Sequence, residues 1–308
     1  MKIGFVFPGQ GSQYVGMGKD LCANILEARE IYAAASEALG YDVAELSFNG
    51  PEEELNKTYR TQPCLLATSV AALTALALRG IHPSFVAGHS LGEYSALVAA
   101  GSISLTDAAR IAETRGKIMQ DAVPEGKGLM AAVLGLERKA LDDICSGISG
   151  YVSAANYNCP GQIVISGEKA AVEEAMVRAK AAGAKRAIPL AVSVPSHCRL
   201  MEEAGKRLEE ELHRFAIKDP QIPFVNNVEA MVISGAEDIR KSLVRQMSRP
   251  VLWEDCVRAM ALSGVGAFVE VGPGKVLSGL IKRIEPSAKI LNVENMETLD
   301  KAVAELSQ

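Results

Sequence analysis

The chain has 308 residues, 48% hydrophobic and 22% charged, the makeup of a globular protein with a sizeable core, in one large domain with an insertion or in two. A net charge of −5 gives no reason to expect nucleic acid or an anionic membrane as partner, and no apolar run approaches the roughly eighteen residues of a membrane span. Six cysteines without a Cys-x-x-Cys read as reduced cytosolic thiols, and neither a disulfide frame, a metal site nor a cofactor is expected.

Strand-like and helix-like segments alternate along most of the length, which predicts an α/β fold with a mainly parallel sheet. Residues 3–7 read as a first core strand and not as a signal peptide. That strand ends in the loop Pro8-Gly9-Gln10-Gly11-Ser12-Gln13, at the kind of carboxyl end where open α/β sheets collect ligands. Helices are predicted over 25–39 and 65–78. The apolar stretch Phe85-Val86-Ala87 then enters Gly88-His89-Ser90-Leu91-Gly92, and a helix-forming run covers 93–100. Strand, Gly-x-Ser-x-Gly and helix make the context of a nucleophile elbow, in which the glycines permit a tight turn and Ser90 sits strained at its apex. Ser90 is the expected covalent nucleophile.

Ser104, with Asp107 three residues on, caps a helix whose apolar stripe runs Leu105, Ala108, Ala112, Gly116, Met119. Arg115 lies on or beside that stripe, where a guanidinium must find an anion or snorkel to water. Either an internal salt bridge or a socket for a substrate carboxylate satisfies it.

One stretch breaks the alternation. A strand over 129–136, a helix over 138–145, strands over 151–155 and 162–166 joined through Asn156-Tyr157-Asn158-Cys159-Pro160-Gly161, a helix over 169–182 and a strand over 185–192 give the order βαββαβ. That is the order of a ferredoxin-like unit, expected as an insertion at 124–195 in a hydrolase-like domain formed by 1–123 and 196–308. A helix over 202–215, strands over 222–226 and 267–271, the turn Gly272-Pro273-Gly274 and a helix from about 299 complete the second part.

A serine nucleophile needs a base. Of four histidines, His89 should project away from the reacting face, His82 sits in a turn, and His213 lies on an exposed-looking helix face beside Glu210 and Arg214. His197, in Val194-Pro195-Ser196-His197-Cys198 where the chain re-enters the main domain, is left as the expected base. No third carboxylate is evident, because acids such as Asp142, Asp143, Glu173 and Glu174 fall on helices of the insertion. A dyad steadied by a backbone carbonyl and a triad therefore stand equal. The Leu91 N–H is the expected first oxyanion donor, and the loop at Gln10 qualifies to supply a second.

Taken together, Phe7-Pro8-Gly9-Gln10-Gly11-Ser12-Gln13, Gly88-His89-Ser90-Leu91-Gly92-Glu93-Tyr94, Arg115, Asn156 to Gln162, Val194-Pro195-Ser196-His197 and Glu270-Val271-Gly272-Pro273-Gly274 resemble the malonyl-CoA:acyl carrier protein transacylases of dissociated fatty acid synthesis. The motifs span nearly the whole chain in family order. The resemblance implies a hydrolase-like α/β domain with a ferredoxin-like insertion. It implies that Ser90 attacks a malonyl thioester, His197 removes its proton, and the main chains of Gln10 and Leu91 hold the oxyanion. It implies that Arg115 grips the malonyl carboxylate, and that Gln246 orients the far nitrogen of His197 through its backbone carbonyl. The acyl range is expected to depend on the pocket volume around His197 and Met119. Malonyl-CoA and an acidic carrier protein are the implied partners of a cytoplasmic protein expected to be a monomer. Lys185-Arg186 and Lys282-Arg283 are the candidate basic docking pairs. The rivals are a thioesterase using water as acceptor, a polyketide acyltransferase and a non-catalytic scaffold.

Overall fold

The computed structural model describes residues 1–124, 126–190 and 194–307. Strand β1 (Lys2–Phe7) is apolar on both faces, which suits only a strand covered on both sides. It lies inside a six-stranded sheet with β2 (Phe85–Gly88), β7 (Phe224–Val225), β8 (Val232–Ile233), β9 (Val265–Val271) and β10 (Lys289–Val293). The order is β10-β9-β1-β2-β7-β8, parallel throughout except for the edge pair β7–β8.

Alternate residues of the strands feed two cores. Phe5, Phe7, Val269 and Val271 join the larger core, with the helices Leu26–Leu39, Thr58–Leu78 and Leu105–Ala122. Val6 and Phe268 join the other, with Trp253, Val257 and Met260 of the Trp253–Leu262 helix and Leu277 and Ile281 of the Val276–Ile284 helix. The Thr58–Leu78 helix corrects two expectations. It starts seven residues before the predicted 65, carrying Pro63 in its second turn at the loss of one helical hydrogen bond. By length and composition it could also cross a membrane; 78% of its most apolar window is instead buried inside the protein, against its neighbouring helices.

The other four strands form a separate antiparallel sheet. In chain order they are β3 (Gly128–Leu134), β4 (Val152–Cys159), β5 (Gln162–Glu168) and β6 (Arg186–Pro189), arranged β4-β5-β3-β6. The helices Arg138–Ser146 and Lys169–Ala181 pack Leu141, Cys145, Val172 and Ala175 against Ala131, Val133, Ile163 and Ile165. The expected connection Asn156 to Gly161 is shorter than the sequence suggested: Asn156–Cys159 is strand, and only Pro160-Gly161 turns. Its polar residues stay extended because the edge of β4 pairs with the main body. Asn156 bridges to Val251, the Tyr157 N–H donates to the Val251 carbonyl at 2.9 Å, and the Val251 N–H donates to Ala155 at 2.8 Å. Arg138 adds charged contacts to Asp255 (2.7 Å) and Glu254 (3.0 Å). Of the strand predicted over 185–192, residues 191–193 lie outside the described residues.

Candidate active site

Phe7 pairs with Gly88 at the ends of β1 and β2, so the Gln10 loop and the serine turn leave the sheet side by side. A Cβ on Gly88 would collide with the Gly92 backbone, and one on Gly92 would collide with the Phe7 carbonyl. Close approach, not unusual backbone angles, thus requires both glycines. The left-handed conformation falls on Ser90 itself, with φ of 53°, which stores strain at the apex. Two side chains fasten it: the Ser90 N–H donates to Asn227 Oδ1 (2.8 Å), and Gln246 Nε2 donates to the Ser90 carbonyl (3.0 Å).

The Ser90 hydroxyl lies 2.7 Å from His197 Nε2. Nδ1 of His197 lies 2.8 Å from the Gln246 main-chain carbonyl, an acceptor, so the proton sits on Nδ1 and the Nε2 lone pair faces Ser90. His197 also has a left-handed backbone (φ 60°), pinned by its N–H on the Met247 carbonyl at 3.1 Å. Burial, reinforced by the Arg115 cation, lowers its pKa to about 3. No carboxylate reaches either ring nitrogen among the described residues.

Arg115, 1% exposed, comes from the Leu105–Ala122 helix, whose N-cap Ser104 accepts from the Asp107 N–H at 3.1 Å. Its Nη1 donates to Gln62 Oε1 (2.9 Å), and its Nη2 to Gln246 Oε1 (2.9 Å) and the Ser90 hydroxyl (3.2 Å). No carboxylate lies within ion-pair distance of it among the described residues, so the internal salt bridge is not formed. Burial pushes its pKa down, the mark of a cation held by neutral dipoles. Met119, one turn further along, holds its sulfur 3.5 Å from Gln62 Nε2.

A cavity of about 220 Å³ opens over Ser90, lined by Gln10, Leu91, Arg115, Met119, His197 and His89 from the main body. Met130, Asn156, Asn158, Gln162 and Val164 line it from the antiparallel sheet, with Leu190 just past β6, so it lies where that sheet faces the serine turn. A Cβ on Gly9 would strike the His89 carbonyl, which presses the Gln10 loop against the serine turn. The Gln10 side chain turns away to Thr58 (3.3 Å), and neither the Gln10 nor the Leu91 N–H donates to a protein acceptor among the described residues. His89 Nε2 pairs with Asn158 Oδ1 (2.9 Å), with its ring edge-on to Trp253.

One residue of each basic pair stands by the Pro160–Gln162 turn, whose Gln162 lines the cavity. Gly135 donates to the Gly161 carbonyl (2.8 Å), Lys185 flanks Gly135, and Arg283 donates to Pro160 (2.6 Å) and to Gln162 Oε1 (3.0 Å). Lys185, Arg186 and Lys282 are exposed, with Lys282 Nζ on the Pro286 carbonyl at 2.9 Å.

Sequence reasoning missed Gln62, Asn227 and Glu93. Asn227 carried a usable signal, since it follows β7 at a carboxyl end of the sheet. Glu93 follows the serine turn directly, but a lone acid opening a helix reads in sequence as an ordinary first-turn carboxylate. Gln62 carried no signal, because its place beside Arg115 depends on packing between helices distant in sequence.

The acyl transferase domain family matches residues 4–301. The malonyl CoA-acyl carrier protein transacylase of Escherichia coli (strain K12) is 53% identical over 283 residues, covering 91% of this chain and 92% of that protein. Its namesake from Bacillus subtilis (strain 168) is 46% identical over 310 residues, covering 100% and 98%. Among solved structures, a malonyl-transacylase in complex with its type II PKS acyl-carrier protein matches at TM-score 0.97 and 49% identity, covering 99% of this chain and 100% of that one.

Proposed function

Because this chain belongs to the malonyl CoA-acyl carrier protein transacylase family of acyl transferases, we propose that it moves a malonyl group from malonyl-CoA to the phosphopantetheine thiol of acyl carrier protein, supplying fatty acid synthesis. The observation that carries the reading is a buried guanidinium that touches the Ser90 hydroxyl and, among the described residues, meets only neutral oxygens. A cation so placed binds a carboxylate tethered to the acyl carbon under attack, which a plain thioesterase or a scaffold has no use for.

In the first half-reaction Ser90 Oγ attacks the thioester carbonyl while His197 Nε2 takes its proton. The Gln10 and Leu91 N–H groups receive the oxyanion, and their lack of protein acceptors among the described residues leaves them available for it. Collapse breaks the C–S bond, and the imidazolium returns the proton to the leaving CoA sulfur. In the second half-reaction the carrier thiol gives its proton to His197 and attacks the malonyl ester, and Ser90 leaves reprotonated. Arg115 holds the malonyl carboxylate throughout, Gln246 orients the histidine, and Met119 bounds the space beside the acyl group.

We read the catalytic body as 1–123 and 196–308, with a ferredoxin-like unit at 124–195 closing the cavity; the βαββαβ order and the β4-β5-β3-β6 sheet support this. Lys185 and Arg283 beside the Pro160–Gln162 turn, each with its basic neighbour Arg186 or Lys282, fit the docking of an acidic carrier. A type II PKS carrier is the bound partner of one structural relative, so polyketide service is the second reading, separated by offering both kinds of carrier as acceptor.

The test is intact-protein mass after mixing with malonyl-CoA. A malonyl adduct on the wild type that is lost in Ser90→Ala supports transfer. Thioester consumed without an adduct points to hydrolysis, and thioester left intact points to a scaffold.

A further inference from the structure

Glu93, in the first turn of the Gly92–Ala99 helix, is fully buried, and among the described residues no cation lies within ion-pair distance of it. Both its oxygens accept: Oε1 takes the Asn227 N–H (2.6 Å), and Oε2 takes Gln246 Nε2 (2.5 Å). Each of those residues in turn fixes the serine. The Asn227 amide spans the turn, from the Gly88 carbonyl (2.7 Å) to the Ser90 N–H (2.8 Å). The Gln246 amide points its nitrogen at Glu93 and the Ser90 carbonyl, and its oxygen at Arg115.

An amide has one donating and one accepting end. Gln246 therefore offers an oxygen to Arg115 while its nitrogen end meets acceptors, and these are the Ser90 carbonyl and Glu93. We infer that Glu93 is a positioning residue for acyl selectivity: held one amide away from Arg115, it balances the guanidinium and sets the Gln246 amide while leaving the cation open to a substrate carboxylate. A direct Glu–Arg pair would occupy the fork that the malonyl group needs. This inference rests on the transacylase reading and names the residue that keeps its selectivity in place.

Replacing Glu93 with glutamine keeps the volume but turns one accepting end into a donor. The Asn227 backbone N–H cannot turn away, so the new NH₂ faces the Gln246 NH₂; the Gln246 amide then either shifts off Glu93 or turns, and both displace the oxygen it offers to Arg115. Protonation of Glu93 has the same effect. The titratable or charged groups facing Glu93 are Arg115, Tyr94, Glu229 and Cys256, with His197 beyond Gln246. Burial raises Glu93 to about 8 against the pull of its two donors and Arg115, while Tyr94 is pushed to about 12 and His197 lies at about 3.

The experiment is single-turnover acylation of Ser90 by malonyl-CoA and by acetyl-CoA in wild type, Glu93→Gln and Glu93→Asp at about pH 9, where Glu93 is ionised. In Glu93→Gln the malonyl-to-acetyl rate ratio should fall roughly tenfold to a hundredfold, the loss of one hydrogen bond to a charged group. Glu93→Asp, still a pure acceptor, should recover part of that loss. An unchanged ratio, with both rates lowered alike, would make Glu93 a support of the fold and overturn the inference, as would an aspartate variant no better than glutamine. Should neither variant fold, the wild type alone decides: its ratio should rise with pH through the region about 8, and a ratio flat from about pH 6.5 to 9 would refute the idea. If wild type forms no malonyl adduct at all, the transacylase reading fails; an adduct with an unmoved ratio sinks only the role of Glu93.

Discussion

His197 donates from Nδ1 to the Gln246 main-chain carbonyl at 2.8 Å, where a triad would hold a carboxylate. A carbonyl fixes the tautomer but brings no full negative charge to stabilise an imidazolium. With burial and the nearby Arg115 cation, the ring stays neutral down to about pH 3. The acetylation rate of Ser90 should therefore be flat from about pH 9 to 5, with no inflection at the ordinary histidine value of about 6.5. Stability follows from the same shift. The folded value lies below the unfolded one, so unfolded chains bind more protons between about 6.5 and 3. This contribution is complete above that window and is lost as pH falls through it. An acylation limb centred near the ordinary value would show that the imidazole is not held neutral.

Arg115 meets three neutral oxygens and no carboxylate among the described residues, so its removal should fall on the malonyl substrate. Arg115→Ala should slow malonyl transfer about a hundredfold, the cost of losing hydrogen bonds between charged partners, and slow acetyl transfer far less. Arg115→Lys should recover little, since one ammonium cannot reach Gln62 and Gln246 and still offer a fork. Stopped-time mass spectrometry with both thioesters reads the ratio. Equal slowing of the two would remove Arg115 from substrate recognition.

Much of this site was legible in the chain because its chemistry is local. Gly88 to Gly92 is one contiguous turn, and His197 was the histidine left at a junction between units. The Arg115 alternatives could not be separated in sequence, since the deciding fact is which residues stand opposite: Gln62 and Gln246, from two other helices. The Ala236–Gln246, Trp253–Leu262 and Val276–Ile284 helices were not picked out, although each buries one apolar face against the body. The strand character of Asn156 to Cys159 was hidden for a different reason. Asparagines favour turns, and here pairing with Val251 across two units overrides that preference.

The serine turn makes a prediction about stability. Its glycines are required by backbone proximity, so Gly92→Ala should cost about 3 kcal/mol or more, or prevent folding, as the new methyl meets the Phe7 carbonyl. Ser90→Gly should act in the opposite sense. It relieves a left-handed residue and should raise stability by about 1 kcal/mol over Ser90→Ala, which keeps the strain. Thermal unfolding of the three variants checks both signs. A Ser90→Gly protein less stable than Ser90→Ala would mean that the turn stores no strain.

The basic residues near the cavity mouth divide by what they already hold. Arg283 spends its guanidinium on Pro160 and Gln162, so changing it would disturb the turn as well as the surface charge. Lys185 and Arg186 are exposed, and the double variant Lys185→Glu, Arg186→Glu reports on charge alone. If an acidic carrier docks there, this variant should raise the KM for the carrier about tenfold at low salt, with the gap from wild type closing as salt screens the pair. Loading from malonyl-CoA should suffer less, because the small donor enters the cavity without that extended surface. Equal loss in both half-reactions would move the docking face elsewhere and leave the two residues as an ordinary solvated edge of the inserted sheet.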